Sequence, residues 1–198
     1  GIRAPRRLIE HSGRYLIAAR ECGDPLLIAG ALLMSSLTTV FVDGQRALRE
    51  LDEMVELARA GGSAALVASA QCFRAWHLAM QREYDEALKI ALPLASADID
   101  PHMPQIDNPT YNAVACIVAC AALHRSEDAE EWAERFESFP AVASFWVIQL
   151  LRACVKAGRG EFRSAAELCL AVRTKLQRAG RDEFPDVVVP AALLAHSR

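Results

Sequence analysis

The sequence predicts an all-α fold, a solenoid of antiparallel helical hairpins, on three observations. Apolar residues recur at helical rather than alternating spacing, the breaks fall at Gly and Pro, and one local pattern returns once per helix pair. With 198 residues, 53% of them hydrophobic and 24% charged, the chain can bury a continuous core as a single domain spanning residues 1–198. A formal charge of -3 gives no electrostatic footprint for nucleic acid or an anionic membrane.

The periodicity places helices at about 5–22, 25–41, 45–60, 63–81, 84–97, 109–124, 127–138, 140–157, 161–179 and 185–196. The second, "PLLIAGALLMSSLTTVFV", and the sixth, "NPTYNAVACIVACAAL", carry no charge and approach membrane-spanning length. Ser35, Ser36, Thr38 and Thr39 in the former, and the charged amphipathic helices that follow both, point to buried core helices instead. Between the fifth and sixth helices, "SADIDPHMPQIDNP" carries Asp98, Asp100, His102 and Asp107. Its three prolines and irregular spacing read as a connector, kept as a minor ligand or interface candidate. The seventh helix, "SEDAEEWAERFE", has Ser126 as its expected N-cap and acids that suit the helix dipole, with a solvated outer face. Only "DVVVP", Asp186 to Pro190, has strand character, and it overlaps the last helix.

The recurrent pattern is an alanine after an acidic or polar turn: Ala47 in "DGQRALREL", Ala87 in "EYDEALKIA", Ala129 in "SEDAEEWAE" and Ala165 in "EFRSAAELC". Successive anchors are 40, 42 and 36 residues apart by subtraction, one helical hairpin each. A small side chain there lets two helices approach closely. The position twelve residues earlier, on the first helix of each pair, holds Ser35, Ala75, Ile117 and Ala153, small in three of four. Tyr84 or Phe162, three residues before the anchor, is expected to plug the hairpin bend.

"AWHLAMQREYDEALKIALPLA" and "LRACVKAGRGEFRSAAELCLAV" resemble tetratricopeptide repeats, over about four hairpins from Gly23 to Ala179. The period is longer than is usual for that family, and Met54, Leu94, Phe136 and Val172 stand where it places a late alanine. With "AARECGDPLLIAGALL" at a corner between hairpins, the pattern is most similar to the sensor repeats of large LuxR-type ATPase transcriptional regulators. That resemblance implies a right-handed superhelix, a TPR-like α-solenoid, acting as a regulatory interaction or sensor module. It implies a concave groove for a partner segment or an apolar small-molecule effector. Carried over, the inner-wall positions include Ala29, Leu32, Ser36, Thr39 and Val40, then Ser69, Cys72, Trp76, Ala79 and Met80, then Tyr111, Val114, Val118, Ala121 and Ala122. The groove residues of choice are Cys72, Trp76, Met80, Tyr111, Val114 and Val118. The other parts of such regulators have no counterpart here: "ARAGGSAALV" lacks the lysine of a nucleotide-binding loop, and no basic helix-turn-helix is seen. The chain opens at Gly1 without a leader and reads as a piece of a larger protein.

No catalytic residue, metal or cofactor is expected. Cys116, Cys120 and His124 share one helical face but lack a fourth ligand and read as core. His77, beside Trp76, reads as a partly exposed helix residue. Six cysteines inside apolar runs suggest free thiols in a reducing cytoplasm. The alternative to a binding groove is structural self-association through the end helices, giving a homodimer without ligand.

Overall fold

The computed structural model describes residues 6–40, 42–96, 108–137 and 145–178. Those residues form nine α-helices and no strand. They are α1 (Arg6–Cys22), α2 (Pro25–Thr39), α3 (Gly44–Ala60), α4 (Ala64–Met80), α5 (Tyr84–Ser96), α6 (Asn108–Ala122), α7 (Ser126–Glu137), α8 (Phe145–Gly158) and α9 (Phe162–Arg178). The expected helix over 185–196 and most of the connector at 96–109 lie outside the described residues.

Local chemistry starts the helices where the sequence has short polar residues. Asp24 caps α2, its carboxylate accepting from the Leu26 and Leu27 N–H groups at 2.8 and 3.3 Å, with Pro25 in the first turn. Asp43 accepts from the Arg46 N–H at 2.9 Å and Ser63 from the Leu66 N–H at 3.3 Å, capping α3 and α4. At α7 the cap is displaced by one residue. Arg125 supplies the first helical carbonyl, to the Ala129 N–H at 3.0 Å, so Ser126 is already inside the helix. Three helix exits share a left-handed residue five positions before an anchor alanine: Arg82 (φ 68°), His124 (φ 59°) and Gly160 (φ 79°). Only the last is the glycine that such a backbone favours.

Each helix packs on its sequence neighbours, pairing α2 with α3, α4 with α5, α6 with α7 and α8 with α9. The pairs join through α3 on α4, α5 on α6 and α7 on α8, while α4 also packs on α6 and α6 on α8. α1 packs on α2 as a preceding second helix would. The anchors Ala47, Ala87, Ala129 and Ala165 are all buried, as are Ser35, Ala75, Ile117 and Ala153 on the facing first helices. First helices approach closely at Gly158, where an added Cβ would lie 2.8 Å from the Ala121 carbonyl oxygen. Backbone cannot yield as a side-chain tip can, so glycine is required there for packing.

The uncharged α2 gives its core hydroxyls partners within the protein. Ser36 donates to the Leu33 carbonyl at 2.8 Å, Thr38 to the Ser35 carbonyl at 2.9 Å, and Ser12 of α1 pairs with Thr38 at 2.9 Å. Among the described residues no helix is long and apolar enough to cross a membrane. Tyr84 is half-buried against the core, but Phe162 is 57% exposed, so the expected aromatic plug is absent from the last hairpin.

Because Ala87 has no exposed surface, its replacement by Leu forces three extra heavy atoms into closed packing. The Ala87→Leu protein is expected to lose roughly 1–3 kcal/mol in denaturant unfolding. An unchanged unfolding midpoint would contradict the close approach.

Candidate functional site

The face shared by α4 and α6 holds the residues that the repeat register nominates. Phe73 and Trp76 stand one turn apart on α4, and Tyr111 opens the described face of α6. Tyr111 sits 4.3 Å from Phe73 between ring centroids, tilted 39°, and 5.2 Å from Trp76 at 67°. Phe73 and Trp76 meet edge to face at 6.5 Å. Such edge-on geometries are the favoured ones for aromatic rings and add to the area they bury. Of the six nominated residues, Cys72, Trp76 and Val118 are buried, Trp76 to 8% exposure, while Met80, Tyr111 and Val114 are half-buried against the same core. The structure therefore brings Trp76 and Tyr111 together, with Trp76 enclosed between hairpins and the other three at the rim.

The inner-wall positions carried over on the first hairpin show the same pattern of burial as those on the second. Ala29, Leu32, Ser36 and Thr39 are buried, and Val40 is half-buried. α1 covers the flank of α2 that a first helix at the start of an array would leave open.

His77 corrects the expectation of a partly exposed residue, since it has no exposed surface. Its Nδ1 lies 2.7 Å from the Phe73 carbonyl oxygen and its Nε2 lies 3.0 Å from the Ser36 carbonyl oxygen of α2. A neutral imidazole carries one N–H, so only one of these contacts is a hydrogen bond in that form. The imidazolium would satisfy both carbonyls, yet burial outweighs them and holds the His77 pKa down at about 4. His77 is thus a neutral clamp between α2 and α4, 41 residues apart in sequence.

The row of Cys116, Cys120 and His124 does not converge. Both cysteines are fully buried, whereas His124 lies past the end of α6 with its Nδ1 3.4 Å from the Gly158 carbonyl oxygen. No group of three or more metal-ligating side chains occurs among the described residues. The six thiols are unpaired, five buried and Cys22 exposed. Burial pushes Cys72, Cys116 and Cys154 up to about 12 and Cys120 to about 11, and raises Cys169 as well. Thiolate chemistry is suppressed at all five.

One feature escaped the repeat register altogether. A shallow recess of about 420 Å³ opens between α3 and α4, lined mainly by the charged and amide side chains Asp52, Glu56, Arg59, Gln71 and Arg74 over the buried Leu51 and Ala70. At its edge Arg74 of α4 is paired with Asp52 of α3. Charged residues at i and i+4 on an amphipathic helix look alike whether they face bulk water or a recess, so periodicity alone gives no signal for it.

On the outer surface, α7 keeps the solvated acidic face. Glu130 pairs with Arg159 at 2.8 Å, Asp128 with Arg125 at 2.6 Å, and Arg135 lies 5.0 Å over the Trp132 ring.

Comparison of the chain with family models, curated proteins and solved structures finds no match.

Two measurements follow from these environments. His77 has a folded pKa below its unfolded value of 6.5, so the stability it contributes is complete above pH 6.5 and is lost as pH falls toward 4. At about 1.4 kcal/mol per pH unit of displacement, the loss reaches roughly 3 kcal/mol by pH 4. A His77→Leu variant should show a flatter dependence of unfolding free energy over that interval, and an identical slope would place the titration elsewhere. For the thiols, native labelling with a maleimide should modify Cys22 quickly and the other five only after denaturation.

Proposed function

We propose that the chain is a TPR-like helical array serving as a regulatory interaction or sensor module, of the kind built into LuxR-type transcriptional regulators. In this reading the hairpins form a right-handed superhelix with α2, α4, α6 and α8 along its inner wall. The packing of α4 on α6 and of α6 on α8 supports it, since first helices that touch while second helices lie apart give a stack its curvature. The observation that carries the binding assignment is the aromatic edge of α4 and α6. Tyr111, Met80 and Val114 present apolar surface at the rim of a well-packed floor made by Phe73 and Trp76. Such a rim suits an apolar partner segment or small-molecule effector, with no cofactor and no direct contact to nucleic acid.

Self-association is the second reading, favoured by exposed apolar side chains at both ends of the described chain. Tyr15 and Ile17 project from α1, and Leu170 from α9. Pairing of two copies through such faces would make a homodimer in which the inner wall is incidental.

The test compares one variant in the enclosed floor with two at the rim. Trp76→Ala is expected to cost about 3–5 kcal/mol of stability, as loss of an enclosed tryptophan does. Tyr111→Ala and Met80→Ala should cost less stability and weaken a bound apolar fluorescent probe such as ANS by at least about fivefold. If probe binding is unchanged in both rim variants while sedimentation shows a dimer that Leu170→Glu dissociates, the self-association reading replaces the groove.

A further inference from the structure

The register that seats each second helix on its own first helix also marks the flank that meets the following hairpin. That flank is the row three residues before the anchor alanine, one after it and five after it, at i, i+4 and i+8 on one face. Three contacts identify it. Gly44, three before the first anchor, lies so near Gln81 at the end of α4 that an added Cβ would stand 2.7 Å from the side-chain amide. Glu130, one after the third anchor, pairs at 2.8 Å with Arg159 at the end of α8. Asp52, five after the first anchor, pairs with Arg74 of α4. On α5 the same row is Tyr84, Leu88 and Leu92, buried or half-buried in the main core. On α9, the last described helix, the row is Phe162, Ala166 and Leu170, and all three are exposed, Phe162 at 57% and Leu170 at 63%. The flank that elsewhere receives a helix is apolar here and lies at the surface.

Its pattern is self-complementary. Phe162 and Leu170 each stand four residues, about 6 Å, from Ala166. An antiparallel second copy crossing at Ala166 therefore sets Phe162 on the partner's Leu170 and Leu170 on the partner's Phe162. A methyl group at the crossing permits close approach, the rule the anchors follow inside the fold. Charge obeys the same axis. Arg163 and Glu167 run beside the apolar row, 94% and 67% exposed and 3.3 Å apart on their own helix. Antiparallel crossing brings Arg163 to the partner's Glu167 twice, whereas a parallel pair would set like charges side by side. The partner's Arg173 comes toward the turn before α9, whose Arg159 and Glu161 are already paired with Glu130 and Lys156.

We infer that α9 is the contact of a twofold dimer of this chain, an antiparallel helix pair with Ala166 on the axis and Arg163 bridged to the partner's Glu167. The inference rests on the self-association reading and assigns it to one end of the described chain, leaving Tyr15 and Ile17 of α1 outside the interface. One helix face is smaller than the roughly 800 Å² per partner of a standard interface, so the dimer is weak, with a dissociation constant on the order of 10–100 μM.

The experiment is sedimentation equilibrium of the full chain, up to about ten times that concentration. The unaltered protein is expected to dimerise. Arg163→Glu and Glu167→Arg each create two like-charge contacts across the axis and should weaken the dimer roughly tenfold, more at low salt than at high. The double variant Arg163→Glu, Glu167→Arg should restore it to within about twofold. All three alter exposed side chains and should leave the melting temperature nearly unchanged. In a Cys22→Ser background, which removes the exposed native thiol, a short bismaleimide should join Ala166→Cys to its counterpart and should not join Ala18→Cys on α1. A monomer throughout, as when residues 179–198 or another protein occupy the flank, overturns this inference together with the self-association reading. A dimer indifferent to the charge reversals, or one that links through Ala18→Cys and not through Ala166→Cys, overturns the α9 axis alone and leaves self-association at another face.

Discussion

Helices in this chain can approach one another only where side chains are small, and the buried anchors Ala47, Ala87, Ala129 and Ala165 mark those places. Each lies on the second helix of a pair and faces a first helix whose own position is Ser35, Ala75, Ile117 or Ala153. Close contact there leaves the opposite flank of each first helix free to meet the next pair, and the same rule repeats at Gly158 against the Ala121 backbone. The cost is a core rich in alanine, which buries little area per residue. Larger buried side chains such as Phe73, Leu51, Met54 and Leu150 fill the rest of the interior, and Ile117 is the one bulky residue at a facing position. Stability is consequently spread over many modest interfaces, with no single large apolar centre.

Most polar groups that enter this interior have a partner there, several of them local. Ser36 and Thr38 return their hydroxyls to carbonyls three residues back, and Asn112 donates to Ala91. Glu50 is buried with one carboxylate oxygen held by Arg46 at 2.9 Å and the other without a partner in the structure. His77 stands apart because it links two first helices and meets two carbonyls with one proton. Its neutrality is set by enclosure, against the preference of its neighbours.

Helix positions and the alanine anchors were legible because both are local: a periodic apolar stripe, a capping Asp or Ser, a Gly or Pro at a break. What the sequence could not show was which flank of a helix another helix covers. His77 carries no signal of burial, since its covering carbonyl belongs to Ser36, 41 positions away. The spacing of Ala29, Leu32 and Thr39 does not reveal that all three are buried, nor that α2 has α1 packed on it. Trp76 was legible as important, but its enclosure depends on Tyr111 arriving from α6. The recess was invisible for a related reason, because it depends on how α3 and α4 lie together and not on the pattern of either helix.

The apolar interior divides within α8. Leu151, Cys154 and Val155 join the main cluster, which draws on residues from α2 through α8, whereas Leu150, Ala153 and Ala157 face α9 and form a separate cluster with Ala165, Cys169 and Val172. α8 therefore acts as a partition with few apolar contacts passing around it. Free energy gained on one side is poorly transmitted to the other, so opening of α9 is energetically a local event. A molecule that clamps α4 to α6 would protect the amides of those helices from solvent exchange while leaving those of α9 to exchange at their original rate.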